Sequence, residues 1–157
     1  MSFFVAQKTL ERVEWTQLVD LWADQCRTPQ ARDLLLAQRA SASLFAASAG
    51  DAAERLAMTS EARNLLDIGE APALGGISSD LETNLVRAEK GGLLVGNSLR
   101  DVGSSLATLR EARESLVGRT DAAPLLADLG DAIGDHRDFE REIERCIDPT
   151  GLSLIHI

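Results

Sequence analysis

The stretch "LVRAEKGGLLVGNSLRDVGSSLATLREARESLVG", residues 85–118, contains the end of one predicted helix and the whole of the next. Gly91 stands where the left-handed residue that ends a helix belongs, and the cations Arg87 and Lys90 precede it, where they complement the helix dipole. The next helix begins near Asn97 or Ser98. Its apolar residues follow a heptad rhythm at Leu99, Val102, Leu106, Leu109 and Leu116, with one interruption at Arg113. An apolar stripe this narrow predicts a long helix that packs against one or two other helices.

The composition of the whole chain also favours helices. Of the 157 residues, 45% are hydrophobic and 26% are charged, which is ordinary for a soluble globular protein. Alanine, leucine, glutamate and arginine dominate, and these residues favour helix. Aromatic residues make up only 4%, and no run of alternating β-branched residues indicates a strand. We therefore expect an all-α, elongated assembly of about seven helices, forming one domain or a piece of a larger protein.

Helix boundaries in the first half of the chain are marked by capping residues. The first helix is predicted to begin near Thr9, and the second is capped by Thr28 with Pro29 in its first position. A third helix opens at Asp51 with a capping box and ends at Gly69. One apolar stripe is expected along the first helix, at Trp15, Leu18, Val19, Trp22 and Cys26.

Three further helices are predicted in the second half, besides the long one. The fourth begins at Ser79, where Glu82 completes a capping box. The sixth spans about 120–133 with Pro124 in its first turn, and the seventh spans about 135–147. The residues expected to face inward are Leu81, Leu85 and Ala88 of the fourth helix, and Phe139, Ile143, Cys146 and Ile147 of the seventh.

The charge balance limits what the chain can bind by itself. A net charge of −9 argues against a broad basic surface for nucleic acid, so we expect weak or no nucleic-acid binding by this chain alone. The row Arg137, Arg141 and Arg145 could meet phosphates. Six acidic residues lie between Asp135 and Asp148, however, and they favour a solvated face of mixed charge.

No motif in the chain indicates an active site. There is no G-x-x-x-x-G-K-[ST] loop and no G-x-G-x-x-G, and neither His136 nor His156 pairs with an acid at metal-ligand spacing. We interpret Cys26 and Cys146 as buried free thiols. We therefore predict no catalytic, cofactor-binding or metal-binding residues. The chain shows no secretory signal and no apolar run of membrane-spanning length, so we expect a cytoplasmic location and no membrane partner.

Five short stretches carry a resemblance to a known family. They are "TLERVEW" at 9–15, "TSEARNLL" at 59–66, "LGGI" at 74–77, "RAEKGGLL" at 87–94 and "FEREIERCID" at 139–148. In this order and at about this spacing, they resemble the N-terminal region of the MutS type II family. Residues 1–150 would then correspond to a core and lever region, incomplete without downstream segments.

The resemblance implies functions that composition does not show. Full-length members are expected to be homodimeric ATPases that need ATP and Mg²⁺, and many carry a C-terminal Smr domain linked to nuclease activity. The roles implied are suppression of homologous recombination by binding branched DNA, and the splitting of stalled ribosomes. This chain would be a non-catalytic part that transmits nucleotide-driven movement to a clamp. No residue of the family's ATP or nuclease sites can be carried onto it.

The end of the chain departs from the family pattern. The segment 151–157, "GLSLIHI", is expected to be a non-family tail left by truncation of a longer reading frame. Truncation would leave an exposed apolar strip along the long helix, at Leu99, Leu106, Leu109 and Leu116, and would favour self-association. The alternative is a stand-alone acidic helical interaction or scaffold module without an ATPase. An independent enzyme is the least favoured class.

Overall fold

The computed structural model describes residues 5–40 and 44–148, and within these ranges the chain forms eight α-helices. They are α1 (Gln7–Arg12), α2 (Trp15–Gln25), α3 (Pro29–Gln38), α4 (Ala49–Asp67), α5 (Leu81–Glu89), α6 (Gly96–Val117), α7 (Pro124–Asp131) and α8 (Arg137–Cys146). The described residues contain no β-sheet, so the expected all-α class is confirmed. None of these helices is both long and apolar enough to cross a lipid bilayer.

The helices form two groups, each with a hydrophobic core of its own. In the first group α2 packs on α1 and α3, around Leu10, Trp15 and Val19. In the second group α6 packs on α5, α7 and α8, while α4 packs on α7. Its core contains Leu65, Leu116, Ala123 and Leu126. In the described part of the chain, no helix of one group packs closely on a helix of the other.

The predicted first helix is two helices, because the backbone turns at Glu14. This residue has φ 53°, in the left-handed region, and it separates α1 from α2. The turn changes which side of α2 faces inward: Trp15, Val19 and Ala23 are buried. The predicted stripe is therefore wrong at Leu18 and Trp22, which are 38% and 47% exposed, and the helix count rises from about seven to eight.

Several of the predicted helix starts lie at other residues, and α1 begins at Gln7 with Ala6, not Thr9, in the N-cap position. Thr28 does cap α3, since its Oγ1 accepts the N–H of Ala31 at 3.3 Å. By contrast, α4 does not open at Asp51 but at Ala49, where the Ser48 hydroxyl accepts the Asp51 N–H at 3.1 Å. The capping box predicted at Ser79 is also absent: α5 begins at Leu81 with no side-chain cap.

The stop signals were predicted correctly. Gly69 and Gly91 both have φ 74°, and each follows the C-cap residue of its helix, Ile68 after α4 and Lys90 after α5. At the end of α5 the Gly91 N–H donates to the Ala88 carbonyl at 2.8 Å, and the Gly92 N–H donates to the Arg87 carbonyl at 2.9 Å. These two bonds satisfy carbonyls that the helix itself leaves unpaired, and a left-handed residue is needed to form them.

The faces that α5 and α8 bury differ from the prediction. On α5 the buried side chain is Asn84, whereas Leu85 and Ala88 are exposed. On α8 Ile143 is buried as predicted, but Phe139 is 51% exposed and Glu140 is buried in its place. The reason on α8 is an ion pair, because Glu140 faces Arg110 of α6 and thereby turns Phe139 towards solvent.

The apolar strip expected along the long helix is not exposed. Leu116 is buried, and Leu99, Leu106 and Leu109 are partly buried. The physical reason is that α5, α7 and α8 all pack against α6 and cover its apolar stripe. The predicted sixth helix is likewise shorter than expected, since α7 begins at Pro124. The tail expected at 151–157 lies outside the described residues.

Candidate functional surfaces

A charged joint holds α8 against α6. Arg110 donates from Nε and Nη2 to the two carboxylate oxygens of Glu140, at 3.0 and 3.1 Å. Glu140 is buried. Its hydrogen bonds with Arg110 raise the pKa of Arg110 above the ordinary value, and the negative charges of Glu140, Glu114 and Glu111 raise it as well. A fork of two parallel bonds fixes orientation as well as distance, so this pair sets the rotation of α8.

The same joint lines an open cavity of about 410 Å³, with Arg110, Glu114, Arg137, Glu140, Arg141 and Glu144 around it. Three arginines face three glutamates. Arg137 donates to Glu114 at 2.6 Å, so α8 is tied to α6 a second time. Because cation and anion are matched, the cavity offers neither excess charge for a phosphate nor a nucleophile. We therefore regard it as a structural joint.

The arginine row of α8 is a face of mixed charge, as predicted. Arg141 pairs with Asp138 at 3.6 Å, and Arg145 forms an ion pair with Glu142. The hydrogen bond from Arg145 lowers the pKa of Glu142, and the same bond raises the pKa of Arg145. These pairs lie on exposed helix surface, where such interactions contribute little to stability.

A second joint connects α4 to the start of α7. Glu61 accepts the backbone N–H of Leu125 at 3.3 Å and that of Leu126 at 3.0 Å. The first N–H groups of a helix have no partner within the helix, and they attract negative charge. Glu61 therefore serves as the N-terminal cap of a helix more than sixty positions away in the chain. Sequence reasoning did not find it, because local capping rules search only neighbouring residues.

A third joint fixes the segment between α4 and α5. The hydroxyl of Ser105, which is fully buried on α6, accepts the Ser78 N–H at 3.0 Å and donates to the Asp101 carbonyl at 2.7 Å. Close by, a Cβ atom added to Gly76 would overlap the hydroxyl of Thr108. The segment therefore crosses α6 at a distance that only glycine permits.

Both cysteines are free, but neither is fully buried, which corrects the prediction of buried thiols. Among the described residues, no group of three or more histidine, cysteine or acidic side chains is arranged to hold a metal ion. His156 lies outside the described range. The described residues also carry no G-x-x-x-x-G-K-[ST] motif of the kind that holds the phosphates of ATP.

A further surface feature is an apolar groove. It has a volume of about 420 Å³ and lies where the α2–α3 turn, the end of α4, the segment after it, the end of α6 and α7 come together. Sequence reasoning missed it, because its lining comes from five separate parts of the chain. The available signal in the sequence was the adjacent pair Leu65 and Leu66, because two neighbouring helical residues cannot both face the same core. In the structure Leu65 is buried and Leu66 is half-exposed.

Of the five stretches that resemble MutS type II proteins, three contain residues of these joints, and the other two lie at helix ends. "TLERVEW" covers the turn into α2 and its core residue Trp15, and "TSEARNLL" contains the capping Glu61. "LGGI" contains Gly76 at the crossing of α6, and "RAEKGGLL" contains Gly91 at the end of α5. "FEREIERCID" contains Glu140 of the α6–α8 joint. Each stretch thus has a physical task in this fold.

Comparison with known proteins gives matches of one kind. No family model matches the chain, and no solved structure matches it. The chain is 32% identical over 147 residues to an endonuclease MutS2 of Anaeromyxobacter sp. (strain Fw109-5), a match that covers 94% of this chain and 18% of that relative. It is 30% identical over 145 residues to an endonuclease MutS2 of Symbiobacterium thermophilum, covering 92% of this chain and 17% of the relative.

A third endonuclease MutS2, from Halalkalibacterium halodurans, is 35% identical over 99 residues, which are 60% of this chain and 12% of the relative. The chain spans less than a fifth of the length of each of these proteins. The ordered stretches and these matches agree, and the chain therefore belongs to the MutS type II family, in which it corresponds to one part of much longer relatives.

Proposed function

We propose that this chain is the N-terminal, non-catalytic helical part of a MutS-like ATPase and passes movement from the nucleotide-binding parts to a clamp. The larger protein would act as a homodimer with ATP and Mg²⁺ in the cytoplasm. It would suppress homologous recombination by binding branched DNA, or split stalled ribosomes. The relatives' name, endonuclease MutS2, supports a nucleic-acid role for the whole protein.

The observation that carries this proposal is that two of the polar clusters join one helix to another. Glu140 of α8 holds Arg110 of α6, and Glu61 of α4 holds the start of α7. Charge-assisted bonds of this kind fix orientation, so α4, α6, α7 and α8 can move as one body. A body that moves without deforming transmits a displacement from one end to the other, which is what the proposed role requires.

The test is a chimera in which this chain replaces the matching segment of the Anaeromyxobacter protein. We expect the chimera to hydrolyse ATP and to change its affinity for branched DNA or for ribosomes when nucleotide binds. Arg110→Met removes the two bonds to Glu140 and so weakens the joint while the ATP site is untouched, so hydrolysis should persist and the nucleotide-dependent change in affinity should shrink.

The matched control is Arg141→Met, since Arg141 pairs only within α8 among the described residues. This variant should behave as the unmodified chimera does. If Arg110→Met leaves the nucleotide-dependent change intact, or if Arg141→Met abolishes it equally, movement does not pass through the α6–α8 joint and the proposed role is wrong. Cleavage of DNA by the isolated chain would also contradict it.

The second candidate is a stand-alone acidic helical interaction module without an ATPase. It is favoured by the apolar side chains that α2 leaves exposed, Leu18, Leu21 and Trp22. Such a set is the usual core of a protein–protein contact. The chimera experiment distinguishes the two candidates. An interaction module that functions alone should not restore nucleotide-dependent binding to an ATPase.

A further inference from the structure

The apolar groove described above is built from small and apolar side chains, with leucines at its edge. Leu65, Leu116 and Leu126 form its floor as part of the core, and Leu66 and Leu129 stand half-exposed at about 50% on its rim. A volume of about 420 Å³ lies within the range, roughly 300–1,000 Å³, of sites that bind compact apolar groups. The groove can therefore receive large apolar side chains from outside the chain.

One cation stands in this apolar lining. Arg27, in the turn between α2 and α3, is the only charged residue among those that line the groove. It is exposed and forms no ion pair with any residue in the described part of the chain. Most arginines in that part are paired, so this free guanidinium is available to a carboxylate from outside.

The groove also lies between the two helix groups. Apart from it, two hydrogen bonds connect the groups within the described residues: Gln30 Nε2 donates to the Ser78 carbonyl at 2.6 Å, and Arg55 of α4 donates to the carbonyl of Leu44, which packs on the first core, at 3.2 Å. An occupant would contact Thr28 and Ala31 of the first group and Leu66 and Leu129 of the second. Binding would therefore brace one group against the other.

We infer that this groove docks an amphipathic helix of a partner protein, one that presents leucine-like side chains one turn apart and a glutamate or aspartate to Arg27. An extended peptide is disfavoured, because it would need a sheet edge for its backbone hydrogen bonds and the described residues offer none. A helix satisfies its own backbone and brings side chains at i, i+3, i+4 and i+7 into one groove. This inference goes beyond the proposed function and stands without it.

The test uses two synthetic helical peptides of about 18 residues, roughly five turns. Both carry leucines at i, i+3, i+4 and i+7. One has glutamates beside the leucines, and the other has lysines at the same positions. Titration against the full chain, followed by amide chemical shifts, should show the glutamate peptide binding at Ala31, Ala71 and Leu129. The lysine peptide should bind about fivefold more weakly or worse.

Two variants of the chain locate the contact. Arg27→Glu should reverse the preference, so that the lysine peptide binds better than the glutamate peptide. Leu129→Ser should weaken the glutamate peptide about tenfold, because a half-exposed leucine at the rim would lose its buried contact. Leu56→Ser is the control, since Leu56 is an exposed leucine of α4 outside the groove, and it should leave the affinity unchanged.

Three results would overturn the inference. Equal affinity for both peptides, unchanged by Arg27→Glu, would show that the cation plays no part. Shifts confined to α2 and absent from the groove would place the contact elsewhere. Dilution-dependent shifts at Ala31, Ala71 and Leu129 without any peptide would show that a second copy of the chain occupies the groove.

Discussion

Gly76 shows how one residue controls the approach of a segment to a helix. The segment after α4 crosses α6 where a side chain of any size at this position would overlap Thr108. The Thr108 hydroxyl donates to the Ser104 carbonyl at 3.0 Å, and a β-branched side chain has few other rotamers available in a helix. The neighbouring Gly75 faces open space, because a Cβ added there meets no atom within 4 Å. Two adjacent glycines thus differ completely in what they do.

This difference predicts opposite results for two alanine substitutions. Gly76→Ala should lower the free energy of unfolding by about 1–3 kcal/mol, the usual cost of overpacking. Gly75→Ala should change it by no more than about 0.5 kcal/mol. Chemical denaturation measures both. In a Thr108→Ala background the penalty of Gly76→Ala should become smaller; a penalty of the same size there would show that the overlap is not its cause.

At the scale of elements, helix ends are stabilised by partners from other helices as well as by local caps. α7 has no side-chain cap of its own, and the carboxylate of Glu61 replaces one. Glu61→Ala should therefore cost about 1–2 kcal/mol, as the loss of an N-cap does. Glu61→Gln, which keeps one acceptor oxygen, should cost less.

The control for this prediction is Glu54→Ala on the same helix, where Glu54 is exposed. It should leave stability within about 0.5 kcal/mol of the unmodified chain. Hydrogen exchange gives the location, since Glu61→Ala should speed exchange of the Leu125 and Leu126 amides first. Uniform acceleration over all helices, with no preference for α7, would contradict the capping role.

The start of α4 gives a prediction about pH. Asp51 accepts the Ala47 N–H at 2.7 Å and is held by Arg55, and these bonds lower its pKa below the ordinary value of 3.8. Because the pKa is lower in the folded state, the stabilisation is fully present above about pH 3.8 and is lost as the pH falls through the folded value. The stability difference between the unmodified chain and Asp51→Asn should shrink in that acidic range.

Carboxylate chemical shifts followed against pH measure the pKa of Asp51 directly. Arg55→Gln should move this pKa back towards 3.8 while leaving the Ala47 bond in place, so the return should be partial. A pKa at or above 3.8 in the unmodified chain would show that these hydrogen bonds do not persist in solution.

At the scale of the whole molecule, the two helix groups have separate cores. Val19, in the first, is fully buried beside Leu10 and Trp15, and Leu65, in the second, packs with Leu116 and Leu126. With so few contacts between the groups, we expect each to open by local unfolding with its own free energy. The apolar groove lies at this boundary, where an occupant would join the two.

Paired core substitutions test this independence. Val19→Ala should lower the protection of amides in α1–α3 by roughly 1–3 kcal/mol, and Leu65→Ala should lower that of α4–α8 by about 2–5 kcal/mol. Each should leave the slowest amides of the other group nearly unchanged in native-state hydrogen exchange. Equal loss of protection in both groups after either substitution would mean that the chain unfolds as a single unit.

The signals that sequence reasoning read correctly act over one helical turn. Gly69 and Gly91 ended helices as expected, and Thr28 with Pro29 started one, because the bonds that form these caps join residues no more than five positions apart. Periodicity gave the long α6 and the all-α class. The choice of inward face failed at Leu85 and Phe139, where Asn84 and Glu140 are buried instead.

By itself, then, the sequence determined the helical class, several helix ends and the family, since composition, local capping and short ordered stretches are properties of the chain alone. The tertiary structure decided which faces are buried, which acids join helices and where the apolar groove lies. The physical reason is distance along the chain. The burial of Glu140 depends on Arg110, and the role of Glu61 depends on the start of α7, and neither partner can be recognised until folding brings the helices together.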